Sequence, residues 1–286
     1  MEGELWRELY LLLKRLGKGK GVVRGHFTHV QIAAVYCWSV LHDRPVCWAC
    51  QRRNWHGSCP MKCLPSPSTM SRRLRTQGVQ YLLQEVEQTL LDQGSASLCR
   101  FIDGKPLPIS GHSEDVDAAY GRAASSMARG YKFHGIFDPL QGFVAWAIHP
   151  MNISEKKVAC QLVEELKHPG YLVGDNAFDT NPLYDMAGQR QIQVLAPRKK
   201  KAQGLGHHHH SPYRLRAIDM LTRPFARMLL HQRRCIESAF GQLTGLGFGL
   251  APLPNWVRTI RRVTNWVRIK LVLLMIYRKT NKTFSI

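Results

Sequence analysis

Apolar positions alternate with a period of two in several short stretches beyond residue 95 and recur with a period near 3.6 in others. Leu98, Phe101 and Ile102 lie in a stretch that predicts a strand ending at Asp103, with Gly104 as the turn after it. Residues 131–137 alternate as a second strand, residues 138–142 turn, and residues 143–148 return as its hairpin partner. Ser154 and Glu155 then open a helix whose stripe is Ala159, Leu162, Val163 and Leu166, and Pro169-Gly170 closes it. Tyr171, Leu172 and Val173 form a strand ahead of Gly174 and Asp175. Asn181-Pro182 opens a short helix bearing Leu183, Tyr184, Met186 and Ala187, Gly188 ends it, and residues 191–196 are another strand. Over residues 228–240 the positions Leu229, Arg233, Ile236 and Phe240 share one helical face, and Glu237 lies in the same run.

The resulting order, three strands, helix, strand, helix, strand, helix, is that of an α/β, ribonuclease H-like mixed sheet with flanking helices. In that fold the first and fourth strands are neighbours, so Asp103 and Asp175 are expected to meet. The residues before 95 read differently. Thr28 caps a helix through Val30, Ala33, Ala34, Tyr36, Cys37, Val40 and Leu41, with Pro45 beyond it. Another helix begins at Ser66-Pro67 and carries Arg72, Arg73 and Arg75, and a third over residues 79–91 places Leu82, Leu83, Val86 and Leu90 together. The expected organisation is therefore an all-α, helix-turn-helix-like DNA-binding region at 1–95 and a catalytic domain at 96–286. Arginines on the first turns of a capped helix suit a recognition helix, while a capped amphipathic helix with a basic outer face fits the same pattern.

Charge sharpens this picture. Forty Lys and Arg against twenty Asp and Glu leave a formal charge of +20 on 286 residues, which points to a polyanionic partner. Basic residues gather at 14–24, at 72–75, at 198–201 ahead of the tract His207 to His210, and at 258–268. With 44% hydrophobic residues the chain can bury a full core. Against this background three acids stand out, Asp103 and Asp175 at strand ends and Glu237 on a helix. Singly, an Asp beside Gly reads as a turn residue and a mid-helix Glu as a solvated one; as an ordered set they read as a metal-holding site.

Four stretches carry a resemblance to a known family: residues 101–107 (FIDGKPL), 130–134 (GYKFH), 172–179 (LVGDNAFD) and 233–240 (RRCIESAF). From about 98 to 280 the chain resembles the catalytic domain of bacterial insertion-sequence transposases of the DDE type. The spacing of Arg233 four residues before Glu237 is the most specific part of it. Many relatives also place a Tyr three residues before that Arg and a Lys seven after the Glu, where this chain has Leu230 and Thr244.

The resemblance implies an enzyme that binds double-stranded DNA at the ends of a mobile element, cleaves it and joins the 3′ ends to target DNA. Asp103, Asp175 and Glu237 would be its catalytic and metal-holding residues, for two ions of Mg2+ or Mn2+, since hard cations take oxygen ligands. Arg233 and Lys132 are expected near DNA phosphates, with His134 beside Lys132 on its strand, and a homodimer is expected when ends are bound. Two alternatives stay open: a catalytically retired, transposase-derived DNA-binding protein, and a metal-dependent nuclease of the same fold.

The remaining motifs are weaker. Cys47, Cys50, Cys59 and Cys63 have a spacing that zinc can use, but eight residues between the pairs are few for a zinc module, and reduced thiols in a cytoplasmic, nucleoid-associated protein are the expectation. Glu114, Asp115 and Asp117 form a rival acidic patch in a polar loop. Residues 271–277 extend an apolar helix that is too short to span a bilayer and is expected to pack on the sheet. No membrane partner is expected.

Overall fold

The computed structural model describes residues 2–18, 27–55, 57, 59–110, 114–123, 126–199, 204, 205, 209–245, 250 and 253–282. The basic cluster at 14–24 and that at 198–201 lie partly outside these residues, as do His207, His208 and the side chain of Thr244. In chain order the elements are α1 (Glu2–Leu16), α2 (His29–Leu41), α3 (Val46–Ala49), α4 (Pro67–Arg73), α5 (Gln77–Asp92), β1 (Cys99–Pro108), β2 (Ala119–Arg122), β3 (Met127–Asp138), β4 (Gly142–Pro150), α6 (Glu155–Glu164), β5 (Gly170–Val173), α7 (Asn181–Gln189), β6 (Ile192–Leu195), α8 (Pro212–Met220), α9 (Pro224–His231), α10 (Arg234–Gly245) and α11 (Ile260–Lys282). They fall into two compact units, one of residues 1–93, 243–250 and 261–286, the other of 94–242 and 251–260.

The first unit is helical. Its centre is α2, in which Ile32 through Val40 are all buried. Thr28 starts that helix with a reciprocal capping box: its hydroxyl accepts from the Gln31 N–H at 3.2 Å, and the Gln31 side chain accepts from the Thr28 N–H at 2.8 Å, an arrangement worth about 1 kcal/mol. Helix α1, which the sequence pattern did not single out, buries Leu5, Trp6, Leu9, Leu12 and Leu13. Trp38 stacks on Trp55 with ring centres 4.7 Å apart, and Trp6 meets both edge-on. The indole N–H groups of Trp38 and Trp55 donate to the Asn54 and Ala49 carbonyls, as burial of a donor requires.

Helix α11 belongs to this unit, which corrects the expectation that residues 271–277 pack on the sheet and differs from a single domain running from 96 to 286. The physical reason lies in its buried cations. Arg268 pairs with Glu87 of α5 at 2.9 Å, and the fully buried Lys270 pairs with Asp43 at 2.5 Å while lying over the Trp266 ring. The two basic residues that break the apolar run in sequence thus find acids on the loop after α2 and on α5.

The second unit is built on a mixed sheet. β1 runs antiparallel to β3 and parallel to β5, β5 runs parallel to β6, and the other edge of β3 holds β2 at its start and β4 along the rest. Leaving aside the small β2, the order β4-β3-β1-β5-β6 is that expected of a ribonuclease H-like fold. The connections through α6 and α7 are the crossovers that parallel neighbours demand. On one face Phe133, Phe143 and Phe240 pack ring against ring, which seats α10 on the strands.

Two local differences matter. β1 does not end at Asp103, because residues 103–108 continue pairing with β3 after the parallel register with β5 stops at Phe101 and Val173. The helix expected over 228–240 is broken at Gln232 and Arg233, where Arg233, Cys235 and Ile236 each donate to the carbonyl three residues back rather than four.

Candidate active site

Asp103 lies on the central strand, two residues past the last one that pairs with β5. Its Oδ1 accepts the Gly104 N–H at 2.8 Å, and its Oδ2 receives Arg233 Nη1 at 3.3 Å. Burial lifts its pKa above the usual carboxylate value, and the charges of Asp175 and Glu155 push the same way, while the Gly104 N–H and Arg233 oppose them without cancelling the rise. Gly104 is not a turn residue here. It is a β1 residue, and a Cβ on it would stand 3.3 to 3.5 Å from the side chains of Lys132, Glu155 and His134. Its small size leaves room for those three groups.

Asp175 follows β5 and caps a 3₁₀ turn at Asn176–Phe178, its Oδ1 accepting the Ala177 N–H at 2.8 Å. Gly174 before it extends the pairing with β6 by donating to the Leu195 carbonyl at 3.1 Å. A Cβ at Gly174 would come within 2.8 Å of the Phe178 ring. The close turn therefore depends on glycine. Parallel pairing of β1 with β5 sets Asp175 beside Asp103, near enough for its charge to act on the Asp103 carboxyl.

Glu237, in the first turn of α10, is more exposed. Its Oε1 accepts from Arg233 Nη2 at 2.7 Å, so one guanidinium joins it to Asp103. The break between α9 and α10 places Arg233 at a joint, and the four-residue spacing read from the sequence is realised as an ion pair. Three carboxylates are hard oxygen donors, the donor chemistry of Mg2+ or Mn2+, and the site already accommodates a positive group between two of them. Among the described residues no three His, Cys, Asp or Glu side chains stand close enough to share one ion as placed.

The other expected residues separate. Lys132 is committed to Glu155 at the start of α6, an acid that the sequence reading treated only as a helix-start residue. Glu155 stands near enough to Asp103 for its charge to act on that carboxyl, a proximity that had no sequence signal of its own. His134 is buried next to it with Nε2 unpartnered, and burial, then the Lys132 charge and His149, push its pKa down to about 3. Arg72 on α4 and Arg75 just beyond it are exposed, but Nε and Nη2 of Arg73 are buried without a hydrogen-bond partner. Arg73 is turned inward from the face that the sequence pattern gave it.

The rival acidic patch is scaffold. Asp115 accepts the Tyr131 hydroxyl at 2.8 Å and the Thr259 N–H at 3.0 Å, and Asp117 accepts the Ile260 N–H at 2.9 Å. Asp179, in the same motif as Asp175, is held by Arg214 through two bonds of 2.7 and 2.8 Å, which together with the Lys199 N–H outweigh burial and lower its pKa. His210 of the histidine tract lies against Arg214 and the Leu205 carbonyl. The cysteines at 47, 50, 59 and 63 carry free thiols, and burial lifts that of Cys50 to about 11. No helix among the described residues is long and apolar enough to cross a membrane.

A strand-centred acid thus stands beside a second acid at the end of its parallel neighbour, with a helix bringing a third, in a ribonuclease H-like domain. Residues 94–276 match the family described as the transposase DDE domain, and the chain belongs to that family. No curated protein matches the chain.

Proposed function

We propose that this chain is a transposase that binds the ends of its mobile element, cleaves them and joins the 3′ ends to target DNA. The observation that carries the reading is the bridging of Asp103 and Glu237 by Arg233, with Asp175 alongside, inside a domain of this family. Asp103, Asp175 and Glu237 would hold two divalent ions, Mg2+ or Mn2+. Such ions activate water or a 3′ hydroxyl and neutralise charge at the phosphate. The chain's own part is positional. A central strand fixes Asp103, a 3₁₀ cap fixes Asp175, and Glu237 rides on a helix seated by Phe240.

The helical region at 1–95 would hold double-stranded DNA through exposed cations such as Arg72 and Arg75, consistent with a charge of +20. Pairing of two ends would make the working form a homodimer. A second reading, a retired enzyme that only binds DNA, draws on Leu230 and Thr244 at positions where relatives carry Tyr and Lys.

Incubation with Mg2+ and a plasmid carrying the DNA that flanks the gene separates these readings. Wild-type protein is expected to give cuts and joined products, while Glu237→Gln and Asp175→Asn bind the same DNA and give neither. Wild-type binding without products would favour the retired enzyme, and cuts without joined products a nuclease.

A further inference from the structure

Both oxygens of Asp103 are engaged, one by the Gly104 N–H at 2.8 Å and the other by Arg233 at 3.3 Å. Glu237 Oε1 is engaged by the other terminal nitrogen of the same guanidinium at 2.7 Å, and Asp175 Oδ1 by the Ala177 N–H. A cation approaching Asp103 Oδ2 and Glu237 Oε1 together meets Arg233 first. We infer that Arg233 is the internal counterion of these two carboxylates in the DNA-free protein, that it competes with divalent cations for them, and that cation loading releases its guanidinium. The inference rests on the reading of Asp103, Asp175 and Glu237 as the metal-holding set.

Carboxylates placed together repel, and a planar fork that reaches two of them relieves the repulsion without dehydrating an ion. The described hydrogen bonds of the Arg233 side chain both go to these acids, so nothing else described ties it down. Its backbone lies in the joint between α9 and α10, outside either regular helix, where a rotation of the side chain disturbs no helical turn. Competition is reciprocal: whatever Arg233 subtracts from cation affinity, the cation subtracts from the Arg233 pairs.

A purely structural clamp predicts the opposite sign. If Arg233 served only to hold the carboxylates in position, its loss would let them splay and would weaken cation binding. Titration of the DNA-free full chain with Mn2+, followed by calorimetry and by the electron paramagnetic resonance of the free ion, reads the sign without any cleavage assay. Arg233→Gln is expected to bind Mn2+ about fivefold to tenfold more tightly than wild type, the scale of a partly exposed ion pair. Arg233→Lys, which keeps the charge but loses the fork, is expected in between.

Arg234→Gln removes the same charge from an exposed neighbour on α10 and separates competition from a general change in charge. Affinity in Arg233→Gln that is no tighter than in Arg234→Gln, or weaker than wild type, would overturn the inference. Asp103→Asn separates this failure from failure of the underlying reading. Lost binding there upholds the metal-holding set, whereas wild-type binding there means that the cations sit elsewhere and both ideas fall.

Discussion

Asp103 and His134 lie on neighbouring strands, and burial disfavours the charged form of each, which moves their pKa values in opposite directions. Burial raises the pKa of Asp103, and Arg233 and the Gly104 N–H oppose that rise by supporting its charged form. His134 is driven neutral, and the Lys132 ammonium beside it reinforces the effect. A histidine whose folded pKa lies near 3 instead of the ordinary 6.5 stabilises the fold above 6.5 and loses that contribution as the pH falls toward 3, because the unfolded chain takes the proton first. Replacing it with Asn is expected to flatten the acid loss of stability between those limits, read as the change in urea midpoint from pH 7 to pH 5. His149, also shifted down by burial, leaves part of the slope in place. An unchanged slope in His134→Asn would mean that the ring is already hydrated in solution.

Helix α4 shows how an element divides like residues between different tasks. Its cap, Ser66 accepting from the Thr69 N–H at 3.2 Å, fixes the helix start as the sequence indicated. The arginines at and just past its end then part, since Arg72 and Arg75 face solvent and Arg73 turns inward. If the exposed pair contacts phosphates, Arg72→Ala with Arg75→Ala lowers the slope of log affinity against log salt by about 2, close to one for each lost contact. Arg73→Ala is expected to leave that slope unchanged. Binding isotherms between low and moderate salt check both, and a slope unaltered by the double change would make α4 a structural helix only. The joint between α9 and α10 is another such element. Periodicity over 228–240 announced one helix, and hydrogen bonds to the third residue back divide it where Arg233 must reach two acids.

At the scale of the molecule, the N-terminal helices are completed by the chain's last helix. Val263, Trp266, Val267, Ile269 and Leu273 of α11 are buried, and its Lys270 and Arg268 find acids on the loop after α2 and on α5. A fragment of residues 1–93 is therefore expected to lack a cooperative thermal transition, with mobile tryptophans by near-ultraviolet dichroism, while the full chain melts cooperatively. A sharp transition in the fragment would show that α11 is dispensable to that unit. Local sequence alone determined the strands from β1 to β6 apart from β2, the capped helices α2 and α4, the helix α6, the four-residue spacing of Arg233 and Glu237, and the excess of positive charge. Each depends on neighbours within one or two turns or on simple composition. What only the tertiary structure decided is the continuation of β1 past Asp103, the pairing of Lys132 with Glu155, the inward turn of Arg73, the scaffold role of Asp115 and the place of α11. These depend on sheet register and on which buried charges find partners, and residues as far apart as Asp43 and Lys270 meet only once the chain has folded.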